Sequence, residues 1–209
     1  MSGDQHFTTA DGCRIAYRID GPVDRPVLML SNSIATNLHM WDRSVAALGR
    51  SFRLLRYDTR GHGGSDAPAG PYSMDRLGRD VVELLDFLDI DRAHFLGLSL
   101  GGFIGQWLGV FAPNRIDRLI LSNTAPYLAA ELHFDDQIHA VLAASDMDAI
   151  ADGFMRNWFP ATMLAAPNEI VDEFSNMVLT TSPRGLAGCF AALRDVDLRR
   201  VIALIAAPT

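Results

Sequence analysis

Lysine is absent from this sequence of 209 residues, and all 18 basic residues are arginines. The absence excludes Schiff-base catalysis by a lysine of this chain. Positive charge is also in the minority, because 25 acidic residues bring the net charge to −7. A general nucleic-acid scaffold needs a basic face, so this composition argues against a nucleic-acid partner.

Cysteine is scarce, and no apolar run reaches the length of a membrane span. The two cysteines, Cys13 and Cys189, lie far apart and have neither a CxxC pairing nor a metal-ligand spacing. We therefore expect free thiols in a reducing compartment rather than a disulfide framework. The first residues lack the charged and apolar segments of a signal peptide. These features predict a globular cytoplasmic protein without a membrane anchor.

Strand-like and helix-like segments alternate through the first two-thirds of the sequence. Apolar runs of strand length are typical of strands buried on both faces, and leucines at helical spacing after Ser73 predict a capped helix. The predicted strands are 5–9, 13–19, 26–30, 52–57, 93–98 and 117–122, and the predicted helices are 44–48, 75–88 and 101–111. This alternation predicts an α/β fold with a mostly parallel sheet and helices on both faces.

Only helical patterns follow from Glu131 to Leu193, with interruptions at prolines. We expect an N-terminal core over residues 1–127, a helical cap over 128–196 and a return to the core over 197–209. The next strand of the sheet is expected where Ala207-Pro208-Thr209 ends the sequence. The sequence is therefore expected to stop before the terminal strands of the core.

The strongest chemical signal is Gly97-Leu98-Ser99-Leu100-Gly101, which matches G-x-S-x-G between a predicted buried strand and a predicted helix. In this context the motif is the nucleophile elbow. Its glycines allow a turn so tight that strand and helix approach closely, which leaves the Ser99 hydroxyl at the end of the sheet. The N-terminus of the following helix favours negative charge, so nearby N–H groups are suited to hold an oxyanion. An ordinary glycine-rich turn is the plainer alternative.

At this motif the sequence resembles the α/β-hydrolase family, and other segments agree. The segment 58–65, Asp-Thr-Arg-Gly-His-Gly-Gly-Ser, is similar to the family's loop after the fourth strand, and Leu30-Ser31-Asn32-Ser33-Ile34 stands at its oxyanion strand end. Asn32-Ser33 replaces the usual His-Gly, a variant similar to the 3-oxoadipate enol-lactonases. The cap segments 156–159 and 188–198 also look like enol-lactonase segments.

The resemblance implies that Ser99 attacks a lactone carbonyl while the backbone N–H groups of Ile34 and Leu100 hold the oxyanion. It implies an acyl-enzyme, hydrolysis by water and no cofactor, with 3-oxoadipate as the product of aromatic-compound catabolism. Ser33, Trp41, Arg156 and Trp158 are the candidate substrate-binding residues. Arg156 is the first candidate for binding the spare carboxylate, with a solvated surface arginine as the alternative, and core packing is the alternative for both tryptophans.

A base and its orienting acid are needed by Ser99, and the family places them in the order Ser, acid, His. No histidine follows His139, and neither His133 nor His139 is well spaced to reach the serine. We therefore expect both groups to lie beyond residue 209. Two sources are considered, namely a companion C-terminal polypeptide and a homo-oligomer that exchanges segments.

Three functional hypotheses remain open at this point. The first is a lactone hydrolase of the enol-lactonase kind, acting on a small anionic lactone. The second is a carboxylesterase or perhydrolase of the same fold, acting on neutral substrates. The third is an inactive fragment that only binds a small molecule or a partner, and the missing histidine and acid favour it.

Overall fold

A computed structural model describes residues 4–128 and 133–209 of the chain. Its centre in this part of the chain is a six-stranded sheet with the order β1-β2-β4-β3-β5-β6. The strands are β1 (Gln5–Thr8), β2 (Arg14–Asp20), β3 (Val27–Ser31), β4 (Arg53–Tyr57), β5 (Ala93–Leu98) and β6 (Ile116–Ser122). The β1–β2 and β2–β4 pairs are antiparallel and the other three are parallel. The predicted α/β fold class is confirmed.

Helices cover both faces of this sheet, as its buried apolar strands require. They are α1 (Asp42–Leu48), α2 (Met74–Phe87) and α3 (Leu100–Phe111). The predicted cap of α2 is present, since the Ser73 hydroxyl accepts a hydrogen bond from the Arg76 N–H. Helices α2 and α3 pack in the main core cluster, whereas Val45 and Leu48 of α1 pack in a smaller cluster built on β3 and β4.

Strand β6 differs from the prediction of a strand buried on both faces. Ile116 and Leu119 are buried, but Ile120 is 52% exposed. The physical reason is its position, because β6 forms the edge of the described sheet and nothing in the described residues covers one of its faces. The chain returns to this edge near its end, where the Leu119 N–H donates a 2.9 Å hydrogen bond to the Pro208 carbonyl.

Helices also make up the second part of the chain, where the described residues contain five of them. These are α4 (Phe134–Ala143), α5 (Asp148–Trp158), α6 (Ala161–Leu164), α7 (Glu169–Leu179) and α8 (Pro183–Asp195). The predicted start of this part at Glu131 lies outside the described residues. Tyr127 and Asp197 form an antiparallel bridge where the chain leaves the sheet and comes back. The division at residues 128 and 196 stays a prediction; residues 128–196 are called the cap below.

A close contact between two glycines fixes how the cap rests on the core. Gly61 has a φ of +84°, and a Cβ on it would lie 2.4 Å from the Cα of Gly185 in α8. A side chain at either position would therefore push α8 away from the core. Within the described residues, no helix is long and apolar enough to cross a membrane.

Candidate active site

The candidate site lies at the carboxyl ends of β3 and β5, the two neighbours at which the strand order reverses. Strand β4, which follows β3 along the chain, lies on one side of β3, and β5 lies on its other side. Such a switch point leaves a crevice at the carboxyl ends of the strands. Ser31 and Gly97 are paired in the β3–β5 register, so the two strands end level with each other. The segments that follow them meet at this crevice.

Ser99 joins β5 to α3 through a strained turn. Its φ of 55° and ψ of −112° lie outside the regions that L-residues favour. The tightness of the turn explains the glycines on either side. A Cβ on Gly97 would lie 2.1 Å from the Gly101 carbonyl oxygen, and a Cβ on Gly101 would lie 2.3 Å from the Ser31 carbonyl oxygen. The geometry matches that expected of a nucleophile elbow.

Two backbone N–H groups near Ser99 are without an acceptor in the described part of the chain, those of Leu100 and Ile34. Leu100 is the first residue of α3, where an N–H has no partner within the helix. The neighbouring N–H groups are used, because Gly101 donates to the Asn32 carbonyl and Ala35 donates to His62. These two N–H groups are therefore available as donors, and their role in holding an oxyanion stays a prediction.

Asn32 anchors the end of β3. Its Nδ2 donates to the Tyr57 carbonyl at 2.8 Å, and its Oδ1 accepts from Trp41 Nε1 at 2.8 Å. The side chain is fully buried, and both of its polar atoms are satisfied. Asn32 therefore ties β3 to the end of β4 and to Trp41.

His62 and Asp58 hold the loops behind the site. The imidazole of His62 is fully buried, and burial lowers its pKa to about 4, so the ring is neutral at pH 7. Asp58 accepts from the N–H groups of Leu38 and Gly64, and burial raises the pKa of its carboxyl to about 6. Because both side chains are occupied by loop N–H groups, they position the site rather than activate Ser99.

Core and cap together enclose the pocket at Ser99, which has a volume of about 490 Å³. The residues that line it are Ser33, Thr36, Met40, Leu98, Ser99 and Asn123 from the core, and Asn157, Trp158, Phe159 and Phe174 from the cap. Hydroxyl, amide and aromatic groups dominate these walls. Arginine, histidine and carboxylate side chains are absent from the described residues that line it.

The predicted substrate-binding residues separate into two groups. Ser33 and Trp158 line the pocket. Trp41 does not, because its indole packs on the cluster of β3 and β4 and bonds to Asn32. Arg156 does not either, since its side chain is 69% exposed and lies 4.0 Å from Asp152. The carboxylate role given to Arg156 finds no support in this position.

Asn157 is the lining residue that the sequence analysis missed at that point. An α-helix turns by about 100° per residue, so Asn157 and Trp158 of α5 face the pocket while Arg156 faces solvent. The helical pattern of α5 did not carry this signal, because Asn157 lies about 200° around the helix from the buried Met155. Asn123, which directly follows β6, also lines the pocket and was not among the predicted residues.

Neither His133 nor His139 is placed to act as the general base for Ser99. His133 is 75% exposed, and its Nδ1 lies 3.6 Å from Asp136. His139 is exposed on α4, and neither histidine lines the pocket. In the described residues, no group of three or more His, Cys, Asp or Glu side chains is placed to hold a metal ion.

Comparison with known proteins places this geometry in a family. The family model described as "alpha/beta hydrolase fold" matches residues 26–182. The chain belongs to the alpha/beta-hydrolase family. A solved structure of a hydrolase from Pseudomonas aeruginosa superimposes with a TM-score of 0.97 at 53% identity, and the match covers 99% of this chain and 78% of that one.

Two enol-lactonases are also similar to this alpha/beta hydrolase. The "3-oxoadipate enol-lactonase 2" of Acinetobacter baylyi is 37% identical over 96% of this chain and 74% of its own length. The structure of the enol-lactonase from Burkholderia xenovorans superimposes with a TM-score of 0.93 at 36% identity, over 98% of this chain and 78% of that one. The predicted resemblance is confirmed, and these relatives support an alpha/beta hydrolase of the ester and lactone type.

Proposed function

We propose that this chain carries the nucleophile and the oxyanion hole of a lactone hydrolase, with 3-oxoadipate enol-lactone as its substrate. The observation that carries the proposal is the strained turn at Ser99, together with the N–H groups of Ile34 and Leu100, for which no acceptor occurs in the described part of the chain. The similarity to the enol-lactonases supports the choice of substrate.

In the proposed mechanism, Ser99 Oγ attacks the lactone carbonyl and the N–H groups of Ile34 and Leu100 stabilise the oxyanion that forms. The general base accepts the Ser99 hydroxyl proton during this attack. Collapse of the intermediate breaks the ring C–O bond, the base returns that proton to the released enol oxygen, and the enol then tautomerises to a ketone. The acyl group remains on Ser99 until water hydrolyses the ester. No step in this sequence requires a cofactor.

The test measures kcat/KM for hydrolysis of the enol-lactone. It compares the native protein, purified from its host, with the Ser99→Ala variant. We expect the substitution to lower kcat/KM by at least about a thousandfold, because no other group of this chain replaces the nucleophile. Arg156→Ala serves as a control on the same helix as Trp158, and its kcat/KM should stay within about twofold. Undiminished turnover in Ser99→Ala would refute the proposal.

We further propose that the general base and its acid lie outside these 209 residues. The match to the Acinetobacter enzyme covers only 74% of that enzyme's length, and no described residue lining the pocket offers a base. Denaturing mass spectrometry of the active protein tests this origin. A second polypeptide supports a companion chain, and a single species heavier than 22.9 kDa supports a longer polypeptide that carries both groups. A single active species of 22.9 kDa would contradict the proposal, because a second copy of this chain brings no residue that the first copy lacks.

Hydrolysis of neutral esters or lactones is the second candidate function, and the walls of the pocket favour it. A dicarboxylate substrate calls for a cationic partner, but the described lining residues include none. The ratio of kcat/KM between the anionic enol-lactone and an uncharged lactone of the same ring size separates the candidates. A ratio above about tenfold, or about 1.4 kcal/mol, favours the enol-lactonase, and a ratio below one favours the neutral substrate.

A further inference from the structure

A second cavity of about 280 Å³ lies wholly within the cap, between α4, α5 and α8. Its main lining residues are Val141, Ile150, Gly153, Phe154, Asn157 and Phe190. None of the described residues lining this cavity, called the cap groove below, is charged. Such walls favour an apolar ligand over an anion.

The cap groove adjoins the pocket at Ser99. Asn157 lines both cavities. Phe154 of the groove packs on Trp158 of the Ser99 pocket, with ring centroids 4.7 Å apart, so this aromatic pair lies where the two cavities adjoin. An alkyl group that extends from Ser99 past Asn157 would therefore reach the groove.

Helix α5 forms the long wall of the groove. Ala149, Ile150, Gly153, Phe154 and Asn157 follow one face of the helix, at spacings of one, four, five and eight residues. Eight residues of α-helix span about 12 Å. Gly153 keeps this face open, because a Cβ on it would meet no atom within 4 Å. The wall that α5 forms is thus about 12 Å long, and the described residues around the groove are uncharged.

We propose that the cap groove binds an unbranched aliphatic chain carried by the substrate at Ser99. The substrate class is then alkyl-substituted lactones and esters, which extends the second candidate function above. The inference depends on the proposed role of Ser99 in placing the carbonyl, while the groove binds the part of the substrate that does not react. A short dicarboxylate would leave the groove empty.

Binding to the Ser99→Ala protein tests the groove apart from catalysis. The probes are γ-butyrolactone, γ-hexalactone, γ-octalactone and γ-decalactone, titrated by calorimetry. A buried methylene contributes about 0.8 kcal/mol, which is about a fourfold decrease in Kd. We expect Kd to fall by about that factor for each methylene until the groove is filled.

Two leucine variants in the Ser99→Ala background locate the binding site. Gly153→Leu fills the groove, and leucine favours a helix more than glycine does, so the cap should remain folded. Asp152→Leu adds the same side chain one position earlier, on the exposed side of α5 outside the groove. The dependence of Kd on chain length should disappear in Gly153→Leu and persist in Asp152→Leu.

Each outcome decides between the two proposals. A Kd that is independent of chain length, or a chain-length series unchanged by Gly153→Leu, overturns the groove assignment. The same series measured as kcat/KM on the protein with Ser99 intact tests the proposed function. Binding that depends on chain length without turnover would refute hydrolysis and support the groove assignment. Turnover without dependence on chain length would refute the groove assignment and support hydrolysis.

Discussion

The Nε2 atom of His62 accepts a 2.9 Å hydrogen bond from the backbone N–H of Ala35. Ala35 has a φ of 60°, so this bond holds a loop in a conformation that alanine seldom adopts. For its neighbour Ile34, no acceptor of the backbone N–H occurs in the described part of the chain. The other ring nitrogen, Nδ1, lies 3.2 Å from the Arg60 carbonyl and donates to it, because Nε2 must be unprotonated to accept.

Neutral His62 predicts that the protein loses stability in mild acid. The folded-state pKa is about 4, and the unfolded value is about 6.5. Between these values the unfolded state binds more protons, so the free energy of unfolding decreases as the pH falls from about 6.5 to about 4. The contribution reaches about 3 kcal/mol.

His62→Gln removes this titration and is the matched comparison. Urea unfolding across this pH range should show a difference between wild type and variant that shrinks by about 3 kcal/mol toward low pH. Asp58, whose raised pKa of about 6 acts in the opposite direction, is present in both proteins and cancels in the difference. A difference that stays constant with pH would show that His62 does not titrate in this way.

Asn32 and Trp41 predict a second measurable coupling. Asn32→Ala leaves the Tyr57 carbonyl and the Trp41 indole N–H without their partner, which should lower the free energy of unfolding by about 2–4 kcal/mol. Trp41→Phe removes only the indole donor and should cost less. Denaturant unfolding of both single variants and the double variant should give a coupling of about 1 kcal/mol. Additive effects would mean that the indole bond contributes nothing.

Local patterns in the sequence were enough to predict the six strands, the cap of α2 at Ser73 and the elbow at Ser99, because each depends on neighbours along the chain. The failures concern groups that meet only in the folded chain. Arg156 was chosen for its charge, but the rotation of α5 turns Asn157 toward the pocket instead. The exposed face of β6 was missed because an apolar run does not reveal which strand forms the edge of a sheet.

The contact between Gly61 and Gly185 is of the same long-range kind, and it predicts how the cap is held. A Cβ in Gly185→Ala would lie 2.2 Å from the Gly61 carbonyl oxygen, so α8 must shift. We expect a loss of about 1–3 kcal/mol in the free energy of unfolding. Gly153→Ala is the control, since its Cβ meets open space and alanine should stabilise α5 by up to about 1 kcal/mol. If denaturant unfolding gave equal changes in the free energy of unfolding for the two variants, the contact between Gly61 and Gly185 would not hold the cap in place.

The ion pair between Arg43 and Glu173 joins α1 of the core to α7 of the cap, at an N–O distance of 2.7 Å. Both side chains are about half exposed, so water and salt screen the attraction and limit it to about 0.2–1 kcal/mol. Phe174, the residue after Glu173, lines the Ser99 pocket, so we predict that the pair affects substrate binding. We expect Arg43→Glu to raise KM at low salt through repulsion between α1 and α7, with little effect at about 1 M salt. Adding Glu173→Arg reverses the pair and should restore KM. Failure of this restoration, measured at low salt, would show that the pair does not set the position of α7.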